Sequence, residues 1–252
     1  LGGRLDSTNV CLPLVSIITS ISLDHTKQLG DTLELIAAEK AGIIKPDVPV
    51  VSGVTAVEPR NVIRDLAARN NSPYFERDRD FRFSDYQPGS IRDLSSVGLE
   101  KQTTNGWQAE LEAVQLGSPG EHQAANASVA WTALQLLPEK LRPDAESIRA
   151  GFASAGCEAR IEIVSPSPLT IFDSAHNPAS AAALAKTLLE YPVQGQRWLI
   201  LATTKGKDLA GILQHLVPVF DQIVCTRYLK NPRSHEPHQI AELAQKTADG
   251  LG

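Results

Sequence analysis

The sequence contains no methionine, and its three cysteines, Cys11, Cys157 and Cys225, stand far apart without CxxC spacing. That spacing argues against a zinc ribbon or a disulfide framework and suits a reducing cytoplasm, the expected compartment. No apolar stretch approaches the roughly 18 residues that a spanning helix needs. No charged-then-apolar leader opens the chain either, so no membrane partner is expected. Basic excess is missing: 24 Lys and Arg against 29 Asp and Glu give a formal charge of −5. Such a balance offers no electrostatic case for nucleic acid. A glycine-rich phosphate loop is also lacking. The nearest string, Lys205-Gly206-Lys207-Asp208, has an aspartate after its lysine and Leu201 where the first glycine belongs. Starting at Leu1 with no methionine anywhere, the sequence reads as a piece of a longer protein.

What is present is ordinary for a globular chain. The 252 residues are 42% hydrophobic and 21% charged, enough for two medium domains or one large α/β domain. Val15 to Ser20 is a short β-branched run that suits a buried parallel strand. Asp31 or Thr32 caps the helix that follows, with Glu34 in its first turn. Val50 to Ser52 reads as a second strand, and a helix near Glu58 to Ala68 places Ile63, Leu66 and Ala67 on one face. Between Ser72 and Leu116 the pattern predicts antiparallel strands around Phe81 and from Trp107 to Val114. A helix then starts near Glu121, with Ala127, Ala130, Trp131 and Leu134 on one stripe, and another at Asp144 or Ala145. Further on, Ile161 to Val164 and Leu169 to Phe172 read as strands, and a helix from Pro178 carries Ala181, Leu184, Ala185 and Leu188. Trp198 to Ala202 is expected to be a buried strand. The helix from Asp208 turns Leu209, Ile212, Leu213 and Leu216 inward, Gln222 to Cys225 is a strand, and Pro237 to Lys246 a final helix. The expected class is α/β, in two domains, 1–156 and 157–252, the second with Rossmann-like alternation.

Function gathers in loops past the carboxyl ends of strands in such sheets. In Ser22 to Thr26, His25 beside Asp24 suits a cation or a phosphate, or is simply a solvated loop histidine. Lys40 takes the i+7 place on the stripe of Leu33, Ile36 and Ala37. Either it snorkels outward, or it is an amine shielded from water that reacts or helps hold a metal. In Phe172-Asp173-Ser174-Ala175-His176-Asn177-Pro178, the last two residues are a natural N-cap and first helical residue. Asp173 and His176 have no such local reason. His235-Glu236-Pro237-His238 is predicted to be a loop rather than a metal site, because Pro237 breaks the helical spacing.

Several blocks together resemble the folylpolyglutamate synthase / dihydrofolate synthase family, and in the same order. They are Leu1-Gly2-Gly3-Arg4-Leu5-Asp6-Ser7-Thr8-Asn9, Ser20 to Thr26, Leu29-Gly30-Asp31-Thr32, Glu39-Lys40-Ala41-Gly42-Ile43, His122-Gln123 with Asn126-Ala127, and Asp173 to Pro178. Lys207-Asp208 and Pro232-Arg233 are weaker matches. The resemblance implies a Mur-ligase-type central ATPase domain followed by a Rossmann-like domain, both partial. It implies an ATP-dependent ligase that adds L-glutamate to a folate or dihydropteroate carboxylate through an acyl phosphate, with ATP and magnesium, acting as a monomer.

Carried over by position, His25 and a carbamylated Lys40 are magnesium ligands, and Lys40 and His176 serve the chemistry. Asn126, Gln123, Arg160 and Asp173 meet the nucleotide, while Asp6 and Arg4 lie where pteroate is contacted. One departure is Cys157-Glu158-Ala159-Arg160, where the family has Trp-Pro-Gly-Arg. With no phosphate loop, the 252 residues alone are expected neither to hydrolyse ATP nor to ligate glutamate. The competing readings are a Mur-type ligase acting on a UDP-sugar peptide and a non-catalytic nucleotide-binding remnant.

Overall fold

The computed structural model describes residues 2–90, 93–191 and 195–250, so Leu1 of the first motif lies outside it. The chain divides into two compact units, Leu1–Cys157 and Glu158–Gly252.

The first unit opens with a 3-10 turn at Ser7–Val10, followed by β1 (Ser16–Ile18), α1 (Thr26–Leu29), α2 (Leu33–Ala41), β2 (Val50–Ser52), α3 (Val57–Arg69) and β3 (Tyr74–Glu76). Strands β1, β2 and β3 form a parallel sheet with Ser16 opposite Val50 and Val51 opposite Phe75. β2 is central and all three of its residues are buried. Val50 faces Ala37, Ile63 and Ala67 of α2 and α3, while Val51 joins a second cluster on the other face. A strand covered on both faces is a continuous apolar run, and for this reason its sequence shows no alternation.

That second cluster is built by an antiparallel meander, β4 (Phe81–Gln87), β5 (Ser95–Thr103) and β6 (Gly106–Leu116), and by α4 (Glu121–Gln135). Phe81, Val97, Leu99, Val114 and Trp131 pack there. The unit closes with α5 (Ala145–Ser154), capped by the Asp144 carboxylate, which accepts from Ser147 N at 2.7 Å. Two strands escape the sequence pattern. β3 is only three residues long, and β5 has glycine at position 98 and a polar second half, so only Val97 and Leu99 mark its inner face. At the end of β3, Glu76 is buried and both of its carboxylate oxygens accept from Arg64 Nη2, at 2.8 and 3.1 Å. Burying a carboxylate demands such a partner.

The second unit runs β7 (Glu162–Pro166), β8 (Leu169–Phe172), α6 (Pro178–Glu190), β9 (Trp198–Leu201), α7 (Leu209–Leu216), β10 (Gln222–Cys225) and α8 (Pro237–Asp249). β7 and β8 form an antiparallel hairpin, and β9 and β10 pair in parallel. Helix α7 is buried along two ridges: Ile212 and Leu216 pack with Ala181 and Leu184 of α6, and Leu209 and Leu213 with Ile240 and Ala244 of α8. β9 corrects the expectation of a buried strand. Leu201 is buried, but Trp198 is 60% and Ile200 73% exposed. Alternate residues of a strand point to opposite faces, and among the described residues only one face of this pair is packed.

Candidate functional site

In the first unit, β1 delivers the chain into the polar loop that holds His25. This histidine has φ of 51°, in the left-handed region, and heads α1. Its amide donates to Asp24 Oδ1 at 2.8 Å, and its Nε2 lies 3.7 Å from Asp24 Oδ2. The left-handed backbone, which histidine adopts more readily than most residues, sets its ring beside the Asp24 carboxylate. Lys40 sits in the last turn of α2, whose N-cap Thr32 accepts from Leu35 N at 3.3 Å. Ile36 and Ala37 of its stripe are fully buried and Lys40 is half-buried, at the rim of the core.

The segment Gly3 to Asn9 lies on the end of that same helix. Gly3 N and Arg4 N both donate to the Glu39 carbonyl, at 3.0 and 2.9 Å. The Arg4 guanidinium meets the Glu39 carboxylate at 3.0 Å. Asn9 Nδ2 donates to the carbonyls of Arg4 and Gly42, at 3.2 and 3.0 Å, and Lys45 Nζ donates to the Asn9 carbonyl at 2.7 Å. A Cβ on Gly3 would collide with the Lys40 carbonyl oxygen, and one on Gly42 with Arg4 Cβ. Glycine at both places lets the two backbones touch. Asp6 caps the 3-10 turn, accepting from the Thr8 hydroxyl at 2.7 Å and the Thr8 amide at 3.0 Å. The Thr8 hydroxyl, then its amide, hold the Asp6 carboxyl below the usual carboxylate range, so it stays charged.

On α4, Asn126 Nδ2 donates to Gln123 Oε1 at 3.0 Å, and Asn126 is exposed. The two amides therefore form one polar patch a turn apart.

In the second unit, the Asp173 to Pro178 turn is fastened to the segment that carries Arg160. Asp173 Oδ2 accepts from Ile161 N at 2.9 Å and Oδ1 from Ala175 N at 2.7 Å. The Ser174 amide and hydroxyl both donate to the Ala159 carbonyl, at 2.9 and 3.0 Å. Asp173 thus has a structural reason that the sequence did not reveal, because its partner lies twelve residues away. Asn177 caps α6 in a reciprocal box with Ser180, its Oδ1 accepting from Ser180 N at 2.8 Å. His176 is exposed, with Nδ1 2.9 Å from the Ser174 carbonyl, and the Arg160 side chain is also exposed.

Two features escaped the sequence reading. One is Asn9, whose partner Gly42 lies 33 residues away. The other is a groove of about 580 Å³ with Lys205, Lys207 and His235 on its wall. It sits over the string that had looked like a failed phosphate loop. Of the four residues expected to form a loop, His235-Glu236 do so, whereas Pro237 and His238 open α8, with Glu236 capping it in a reciprocal box with Gln239.

Among the described residues, no group of three or more His, Cys, Asp or Glu side chains is placed to hold a metal ion. His25 and Asp24 are instead a pair of donors. Magnesium takes oxygen ligands, commonly one or two carboxylates with water and substrate phosphates, so Asp24 is the kind of ligand it uses and His25 stands beside it as a nitrogen donor that softer cations prefer.

Residues 159–251 match the family model described as Mur ligase, glutamate ligase domain. Over 253 residues the chain is 34% identical to a dihydrofolate synthase/folylpolyglutamate synthase of Mycobacterium tuberculosis, covering 96% of the chain and 50% of that protein. The Escherichia coli protein of the same name is 34% identical over 251 residues, with 96% and 53% covered. A structure of Mycobacterium tuberculosis folylpolyglutamate synthase complexed with ADP superposes with a TM-score of 0.86 at 32% identity, over 98% of this chain and 54% of that one. E. coli FolC in complex with DHPP and ADP gives 0.81 at 31%, over 99% and 58%. The chain spans about half the length of the curated relatives it matches. On these likenesses, which cover both units, the chain belongs to the folylpolyglutamate synthase / dihydrofolate synthase family of Mur-type ligases.

Proposed function

We propose that these residues serve an ATP-dependent ligase that joins the amine of L-glutamate to the carboxylate of a folate or dihydropteroate. The observation that carries the reading is the likeness, along nearly the whole chain, to folylpolyglutamate synthases that hold ADP. In the reaction, a carboxylate oxygen of the pteroate substrate takes the γ-phosphoryl group of ATP and ADP leaves. The glutamate nitrogen then attacks the acyl carbon, phosphate departs, and the nitrogen loses a proton. Magnesium, when bound, neutralises charge on the phosphate oxygens. His25 and Asp24 are the side chains that would hold it. Lys40 would join them if its amine added to carbon dioxide, losing a proton and becoming a carbamate with carboxylate-like oxygens. Asp6, kept ionised by Thr8, is suited to accept from a pterin donor. Asn126 and Gln123 present both amide donors and acceptors, as a purine base requires, and Asp173, Arg160 and His176 serve the ribose and phosphates.

The deciding measurement is glutamate-dependent ADP release by the full-length gene product, offered dihydropteroate and a UDP-muramyl peptide separately. Turnover with the first and not the second is expected, and the reverse would sink the reading. The 252 residues alone should release no ADP, because their sequence has no glycine-rich loop of backbone amides to cradle the phosphates. Ligation by that chain would contradict this part.

A further inference from the structure

We infer that Asn9 and Glu39 are positioning residues, and that the Arg4 guanidinium works through Glu39 to hold the Gly3–Asn9 segment rather than to contact substrate. The proposal rests on the ligase reading only for its kinetic consequence.

The geometry is that of a clamp. One jaw is the segment carrying Asp6; the other is the final turn of α2, carrying Lys40. Five donors close it: the amides of Gly3 and Arg4, both hydrogens of the Asn9 side-chain amide, and the Arg4 guanidinium. Asn9 is the key element, since its one NH2 group bridges a carbonyl on each jaw, Arg4 O and Gly42 O. The Gly42 carbonyl lies past the end of α2, where a helix leaves acceptors without partners. The Arg4–Glu39 pair is more exposed, with the arginine side chain at 58%. Exposed pairs contribute little, so it is the weaker arm. Its bearing is on Arg4 itself, since the Nε and Nη2 edge of the guanidinium is directed at Glu39 rather than left to a ligand. Close packing of Gly3 on the Lys40 carbonyl means that the segment and the lysine's own peptide unit move together.

The test uses Asn9→Asp, which keeps the shape, removes both donors and sets carboxylate oxygens against two carbonyls. In the 252-residue chain, hydrogen exchange of residues 3–11 should speed up at least tenfold while residues 97–99 stay protected. In the full-length gene product, the KM for the pteroate substrate should rise about tenfold with kcat changed less. Mere loss of folded enzyme would lower apparent kcat and leave KM alone. Glu39→Arg should act in the same direction more weakly, and adding Arg4→Glu should restore both protection and KM. Unchanged exchange in Asn9→Asp overturns the clamp. If the reversed pair regains protection but not KM, Arg4 touches substrate after all and the inference fails. Should the wild-type gene product not ligate glutamate, the ligase reading falls, and the exchange data still decide the clamp.

Discussion

A cysteine's reactivity is set by how readily it loses its proton, and the three here differ in surroundings. Cys11 and Cys157 are exposed, whereas Cys225 ends β10 against the α7–α8 cluster, and burial pushes its thiol up. Only the thiolate attacks a disulfide reagent. At pH 8 a chromogenic disulfide should therefore label two cysteines quickly and Cys225 slowly, with the slow phase accelerating as pH rises. Three equal rates would contradict the placement. Individual residues were legible where their partners are local. Thr32, Asp144 and Asn177 each cap a helix within three residues: Asn177 is expected as a cap outright, Thr32 as an alternative to Asp31, and Asp144 only as one of two possible helix starts. Asp173 and Asn9 were not legible, because Ile161 and Gly42 come near only after folding.

At the scale of elements, the helices were better marked than the strands. Helices α3, α6 and α7 announce themselves by apolar stripes whose members are buried or half-buried as expected. β5 had too few inward residues to stand out, and β9 misled because a short apolar run looks alike whether one face or two are covered. The start of α6 invites a direct measurement. Asn177 caps it through a reciprocal box, and replacing an N-cap asparagine with alanine typically costs about 1 kcal/mol. Urea unfolding of Asn177→Ala should show a loss of that size in the second unit, with Asn177→Asp close to wild type. No change in the alanine variant would mean that the cap contributes nothing.

For the whole molecule, division into two units has consequences because each has its own buried clusters. Residues 158–252, expressed alone, should unfold cooperatively, and Leu213→Ala, which removes a fully buried side chain, should cost about 2–5 kcal/mol. A gradual melt without a transition, monitored by far-ultraviolet dichroism, would show that this stretch is not an independent folding unit. The bare side of β9 supplies a reporter for such work. Trp198 is the one indole in the second unit, and it stands open to solvent, whereas Trp131 of the first is enclosed. Its emission should lie to the red and yield readily to a collisional quencher such as iodide, while Trp131 stays blue and shielded. Once Trp107, half-covered beneath the Arg82 guanidinium, is replaced by phenylalanine, a single fluorescence titration can follow one half of the chain against the quiet background of the other.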